Sequence, residues 1–269
     1  MTTVPRLWLW DVEYEARRAL KRAQAADELD LLSSSPMYKA LRAFFAGLPG
    51  DSPWPDPLPA DFPRPVLALP ESEDPLLSPD YIKWGSWKFV SRRLREAMAL
   101  PEWAVSYVPA EIQKGGRRAR QQDYALMYVR AFADAIDLDT SLCVAEPAIS
   151  AKTGEPYISV ESVTVIRFKA GLAPPCDLFE DSKDTVSLFA TDALAERALA
   201  AGCNGVQFAH PLWAHEADGN YVIRTADGMA QIQWNATGQE YKIVPIAPEI
   251  ADKGPQTEVL HAFQRVKPH

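Results

Sequence analysis

Cys203, His210 and His215 are the three side chains whose types and closeness in the chain could do chemistry together. A thiolate and two imidazoles make zinc ligands, and a Cys beside a His also makes a nucleophile with its base. The spacing matches no finger or ribbon, and the two histidines bracket Pro211-Leu212-Trp213-Ala214. The structural alternative is a pair of packed or exposed histidines near an inert thiol. His261 and His269 stand apart. Asp134, Asp137 and Asp139 form the densest carboxylate cluster. They could hold Mg²⁺ or divide acid and base roles. No Gly-punctuated metal loop accompanies them, so a polar turn, with Thr140 and Ser141 bonding backbone, is the plainer expectation. Lys114-Gly-Gly-Arg-Arg-Ala-Arg120 could grip phosphate, but a basic loop of this size supports only weak, salt-sensitive binding. Asp177, Glu180, Asp181 and Asp184 are its acidic counterpart. They are either a solvated loop or a negative patch that speeds encounter with a cationic partner. These four are the candidate partner-binding residues. There is no Gly-x-Gly-x-x-Gly, P-loop or Gly-x-Ser-x-Gly elbow. Asn235-Ala-Thr237 is a formal glycosylation sequon, without meaning in a cytosolic chain.

Composition narrows the classes. The 269 residues are 47% apolar and 24% charged, with eight Trp, nine Tyr and ten Phe, which excludes a wholly disordered chain. Three cysteines exclude a disulfide scaffold. No apolar run is long enough to span a bilayer, and Met1–Arg6 starts no signal peptide, so a cytoplasmic location with no membrane contact is expected. The charge is −8, from 28 bases and 36 acids, a poor balance for nucleic acid and a better one for a basic partner. One basic band, residues 88–120 at +5, lies between acidic flanks.

The elements that must position these groups show in the pattern. Val12, Ala16, Ala19, Leu20 and Ala23 recur at helical spacing, with acids early and bases late. Ser35, Pro36 and Gly47 bracket a second helix with Met37, Leu41 and Phe44 on its apolar stripe. Residues 49–79 hold ten of the 23 prolines, which disfavours helix and central strand. The aromatic and aliphatic residues there predict an ordered strap, with a short edge strand at 66–69. Residues 87–90, 104–108, 186–189 and 206–208 are expected as short strands. Ser91 caps a helix stopped by Pro101, and Thr191 or Asp192 caps another ended by Gly202. Residues 124–132 are an apolar run, strand or helix. Residues 157–168 alternate as a strand interrupted near Ser162. Residues 221–225, 229–234 and 241–246 make a three-stranded meander with turns at Asp227-Gly228 and 235–238.

Several stretches carry a resemblance in their shared order. They are Phe89-Val90-Ser91-Arg92-Arg93-Leu94-Arg95, Tyr107-Val108-Pro109-Ala110-Glu111-Ile112, Tyr124–Val129, and Asp134-Ala-Ile-Asp137-Leu-Asp-Thr-Ser141. Leu188-Phe189-Ala190-Thr191-Asp192 follows, leading through a helix to Ala201–Phe208. With the strap containing Trp54, this span of roughly 54–211 resembles the bacterial polymorphic-toxin immunity proteins, long catalogued as a domain of unknown function. The resemblance implies a non-enzymatic inhibitor that binds and neutralises a cognate secreted antibacterial toxin encoded nearby. It implies no catalytic residue, no cofactor and no metal.

The expected fold is α+β. A mixed or antiparallel sheet carries flanking helices near 91–99 and 192–201, with an N-terminal helical pair, a Pro-rich strap and the C-terminal meander. The expected division is 1–48 helical, 49–87 strap, 88–218 core and 219–269 meander, joined as one unit. The expected function is stoichiometric toxin neutralisation. Two rivals stay open: a structural adaptor of a secretion or phage-derived assembly, and a metal- or Cys-dependent hydrolase using Cys203, His210 and His215.

Overall fold

Leu7-Trp8-Leu9-Trp10-Asp11-Val12 is an apolar run too short for a helix, and it forms a strand near the centre of the larger of two large sheets. The computed structural model describes residues 6–12, 16, 19, 65–69, 78–84, 87–114, 117–118, 123–149, 156–182, 187–213, 221–234 and 241–252. The central strand, β1 (Leu7–Val12), pairs antiparallel on one side with β12 (Leu188–Thr191). On the other it pairs with β13 (Val206–Ala209). Beyond β13 come β14 (Tyr221–Thr225), β15 (Gly228–Trp234) and β16 (Tyr241–Pro245), so the meander extends this sheet. Beyond β12 come β11 (Leu178–Asp181) and, parallel to it, β8 (Phe132–Ala133).

The second sheet runs β2 (Val66–Leu69), β5 (Val105–Lys114), β7 (Tyr124–Val129), β4 (Trp87–Ser91) and β3 (Tyr81–Trp84). A short β6 (Arg117–Arg118) pairs with β5. The 124–129 run settles as strand because β4 and β5 flank it on both sides. A two-stranded hairpin joins β9 (Leu142–Ile149) to β10 (Pro156–Val165), with a register shift between Val160 and Ser162 where an interruption is expected.

Two capped helices pack together between these sheets' connections. They are α1 (Arg92–Met98) and α2 (Asp192–Ala200). The Ser91 and Thr191 hydroxyls accept from the Leu94 and Leu194 N–H groups at 3.1 and 3.4 Å. A four-residue α3 (Pro248–Ala251) follows the meander. No described helix is long and apolar enough to cross a membrane.

One apolar cluster takes residues from both large sheets and from α1, α2 and α3. Trp10 meets the Tyr81 and Phe208 rings edge-on at 5.3 Å each, and Phe168 meets Phe189 at 5.2 Å. Such edge-to-face pairs add about 0.5–1.5 kcal/mol beyond the area they bury.

The α+β expectation is therefore corrected: the fold is mostly β, with two large sheets. The expected N-terminal helical pair is corrected too, because Val12 ends a strand instead of opening a helix. Ala16 and Ala19 are helical and buried just after it. The physical reason is partner choice. Helical spacing over 12–23 is a local signal, whereas β1 is fixed by strands nearly the whole chain away. The expected helix over 35–47, and Trp54 and Phe62 of the strap, lie outside the described residues.

Candidate functional site

Ile166 is the point from which a concavity among the described residues is built. Its N–H donates to the Pro211 carbonyl at 2.9 Å, locking the end of β10 to the 3-10 turn Pro211–Trp213. Ser141 bonds the neighbouring residue twice, its hydroxyl accepting from Arg167 N–H (2.9 Å) and donating to Arg167 C=O (3.2 Å). Asp137 N–H donates to the same Arg167 carbonyl at 2.8 Å. The turn over 137–141 is thus bolted to 166–168. Between these segments lies a cleft of about 480 Å³, lined by Thr140, Ile166, Arg167, Phe168, Pro211 and Leu212. That volume is within the range of ligand clefts.

The aspartates beside the cleft are engaged locally. The Thr140 hydroxyl, with the Asp139 and Thr140 N–H groups, holds the Asp137 carboxyl below the usual carboxylate range against slight desolvation. Asp134 pairs with Lys169. Asp139 is exposed on the turn. Among the described residues, no three His, Cys, Asp or Glu side chains group to hold a metal. Asp137 alone of the three ties the turn together, its carboxylate bonded to Thr140 and its N–H to the Arg167 carbonyl.

Among the described residues, no hydrogen bond joins the Cys203 and His210 side chains, and their charged neighbours differ. Burial pushes the Cys203 thiol up to about 11, with Asp80 adding to the shift and Arg93 opposing it. A thiol in that state is a poor nucleophile at neutral pH. His210 is 4% exposed. Its Nδ1 accepts from Leu212 N–H at 3.3 Å, which places the proton on Nε2, 3.2 Å from Asp252. Burial holds its pKa below the ordinary 6.5, outweighing the Asp252 carboxylate. His215 lies outside the described residues.

Of the four candidate partner-binding acids, two are buried and a third, Asp177, is half-exposed and paired. Asp181 is fully buried and accepts from Ala135 and Ile136 N–H at 2.7 and 2.9 Å. Glu180, 7% exposed, forms an ion pair with buried Lys88 at 2.7 Å. Asp177 accepts from the Thr191 hydroxyl at 2.6 Å and from Arg197 at 2.8 Å, and these bonds outweigh desolvation to hold its pKa low. Asp184 lies outside the described residues, as do Gly115, Gly116 and 119–122 of the basic loop.

A knot that sequence reasoning missed centres on Asp80, 4% exposed. Its carboxylate accepts from Ser91 Oγ at 2.5 Å, from Arg93, and from Asn204 N–H at 2.9 Å. Asp80 N–H returns a bond to the Asn204 carbonyl at 3.0 Å. Tyr124 donates its hydroxyl to Pro79 C=O at 2.7 Å. One carboxylate therefore ties β3, the α1 cap and the loop after α2. The only local signal for it is the Ser91-Arg92-Arg93 sequence, which calls for an acid it does not name.

Among the described residues, His210, Asp177, Glu180 and Asp181 are engaged in holding a mainly β scaffold, which also presents the cleft and two exposed aromatics. Trp103 and Phe132 are 56% and 46% exposed. They sit beside the bond from Ala131 N–H to Ala104 C=O, with Arg130 reaching the Glu102 carbonyl. The model of the immunity protein family Imm11 matches residues 16–210, and the chain belongs to that family. No curated protein matches the chain. Membership brings an immunity function and, in general, a toxin as partner.

Proposed function

We propose that this protein neutralises a cognate antibacterial toxin, encoded beside it, by direct one-to-one binding, and that it turns over no substrate. The family match over residues 16–210 carries the reading. The geometry supports it in two ways. Cys203 and His210, two of the three residues of the candidate Cys–His centre, have different neighbours. The cleft and the Trp103–Phe132 face stand on backbone that is hydrogen-bonded in place, and a preorganised surface loses little entropy on docking. A standard interface needs about 800 Å² from each partner.

Co-expression with the neighbouring toxin gene tests this. Cells survive in proportion to the amount of inhibitor, and the purified pair elutes as an equimolar complex. Protection by far less than one inhibitor per toxin would mean turnover instead of occupancy. Undiminished killing with every adjacent effector would end the reading.

A further inference from the structure

We propose that the 480 Å³ cleft between the 137–141 turn, 166–168 and Pro211-Leu212 is the toxin's docking site, taking an apolar side chain flanked by an Asp or Glu. This rests on the neutralisation reading and adds the face and the chemistry of contact.

Charge points to that occupant. Arg6, Arg92, Arg93, Arg95, Arg197 and Arg224 each hold a carboxylate, and Arg130 holds a carbonyl. Arg167 lines the cleft, is exposed, and its guanidinium has no ion pair or hydrogen bond among the described residues. Its backbone is fixed by Ser141 and Asp137, so its position is set while its charge is unspent. The nearest acids do not answer it: Asp134 has Lys169, and Asp137 is turned into its own loop.

Apart from Thr140, the rest of the lining is apolar. Ile166 is buried, Phe168 rests on Phe189, and Pro211 and Leu212 complete the wall. The Ile166–Pro211 bond joins the two walls, so the cleft is formed before a partner arrives. An apolar anchor seated in a preformed pocket beside an Arg fork is the usual make-up of an interface hot spot.

The test uses the full chain and its purified toxin. Arg167→Glu and Leu212→Asp are each expected to weaken binding about tenfold or more, while thermal midpoints stay near wild type. Arg167→Lys keeps the charge but loses the fork, so it falls between. Hydrogen exchange on the wild-type complex needs no variant, and it should show new protection over 137–141, 166–168 and 211–213. If wild type binds but both variants bind within twofold of it, or if protection appears only elsewhere, the cleft assignment is wrong and neutralisation stands. If wild type captures no toxin, both fall.

Discussion

Gly205 has no room for a methyl group. Its φ is +76°, and a Cβ there would lie 2.3 Å from Pro79 Cβ and 3.0 Å from the Tyr81 carbonyl. Gly202, at φ +66°, has open space around the same position. Alanine at 202 should cost about 1–2 kcal/mol for the backbone alone. Alanine at 205 should cost clearly more, because the Asp80 knot must shift as well. Urea midpoints of the two variants, side by side, check the difference. His210 carries a second expectation at this scale. Burial keeps it neutral in the fold, while the unfolded chain binds a proton near the ordinary 6.5. Stability is therefore full above that value and falls as pH drops from it toward the lower folded value. His210→Gln should flatten that part of the profile, read as the difference in urea midpoint between pH 7.5 and 5.

Lys88 on β4 and Glu180 on β11 pair across the two sheets, both nearly buried. Removing one member strands a charge and costs about 3–5 kcal/mol, whereas replacing both with apolar residues recovers most of it. Lys88→Met should thus destabilise strongly, and Lys88→Met with Glu180→Leu should return toward wild type in denaturant titrations. The elements themselves were legible wherever their signals were local. Ser91 and Thr191 announce their helices by cap chemistry, and Asp227-Gly228 announces the β14–β15 turn. The acids of β11 were not legible. Glu180 and Asp181 follow Leu178-Phe179 like a polar strand end, and only the flanking β12 and β8 bury them. A strand's neighbours, not its composition, decide which of its residues meet water.

The whole molecule explains why the cleft escaped sequence reasoning. Its lining comes from three segments around 140, 166–168 and 211–212, and no local spacing joins them. The Asp137–Ser141 stretch was visible, but its work as a clamp on Arg167 depends on the register of distant chain. Family character was visible for the opposite reason: the shared stretches are scaffold, and they lie within the matched residues 16–210.

β1 gives this molecule an awkward birth. Its hydrogen-bonding neighbours are residues 188–191 and 206–209, which leave the ribosome last of the three. At ~5–20 residues per second, Trp8 and Trp10 wait on the order of 10–40 s for a place to go. Nascent chains arrested before Val206 should stay open to protease near their amino end, and those arrested after the full sheet has emerged should resist. On the neutralisation reading, only finished molecules would protect.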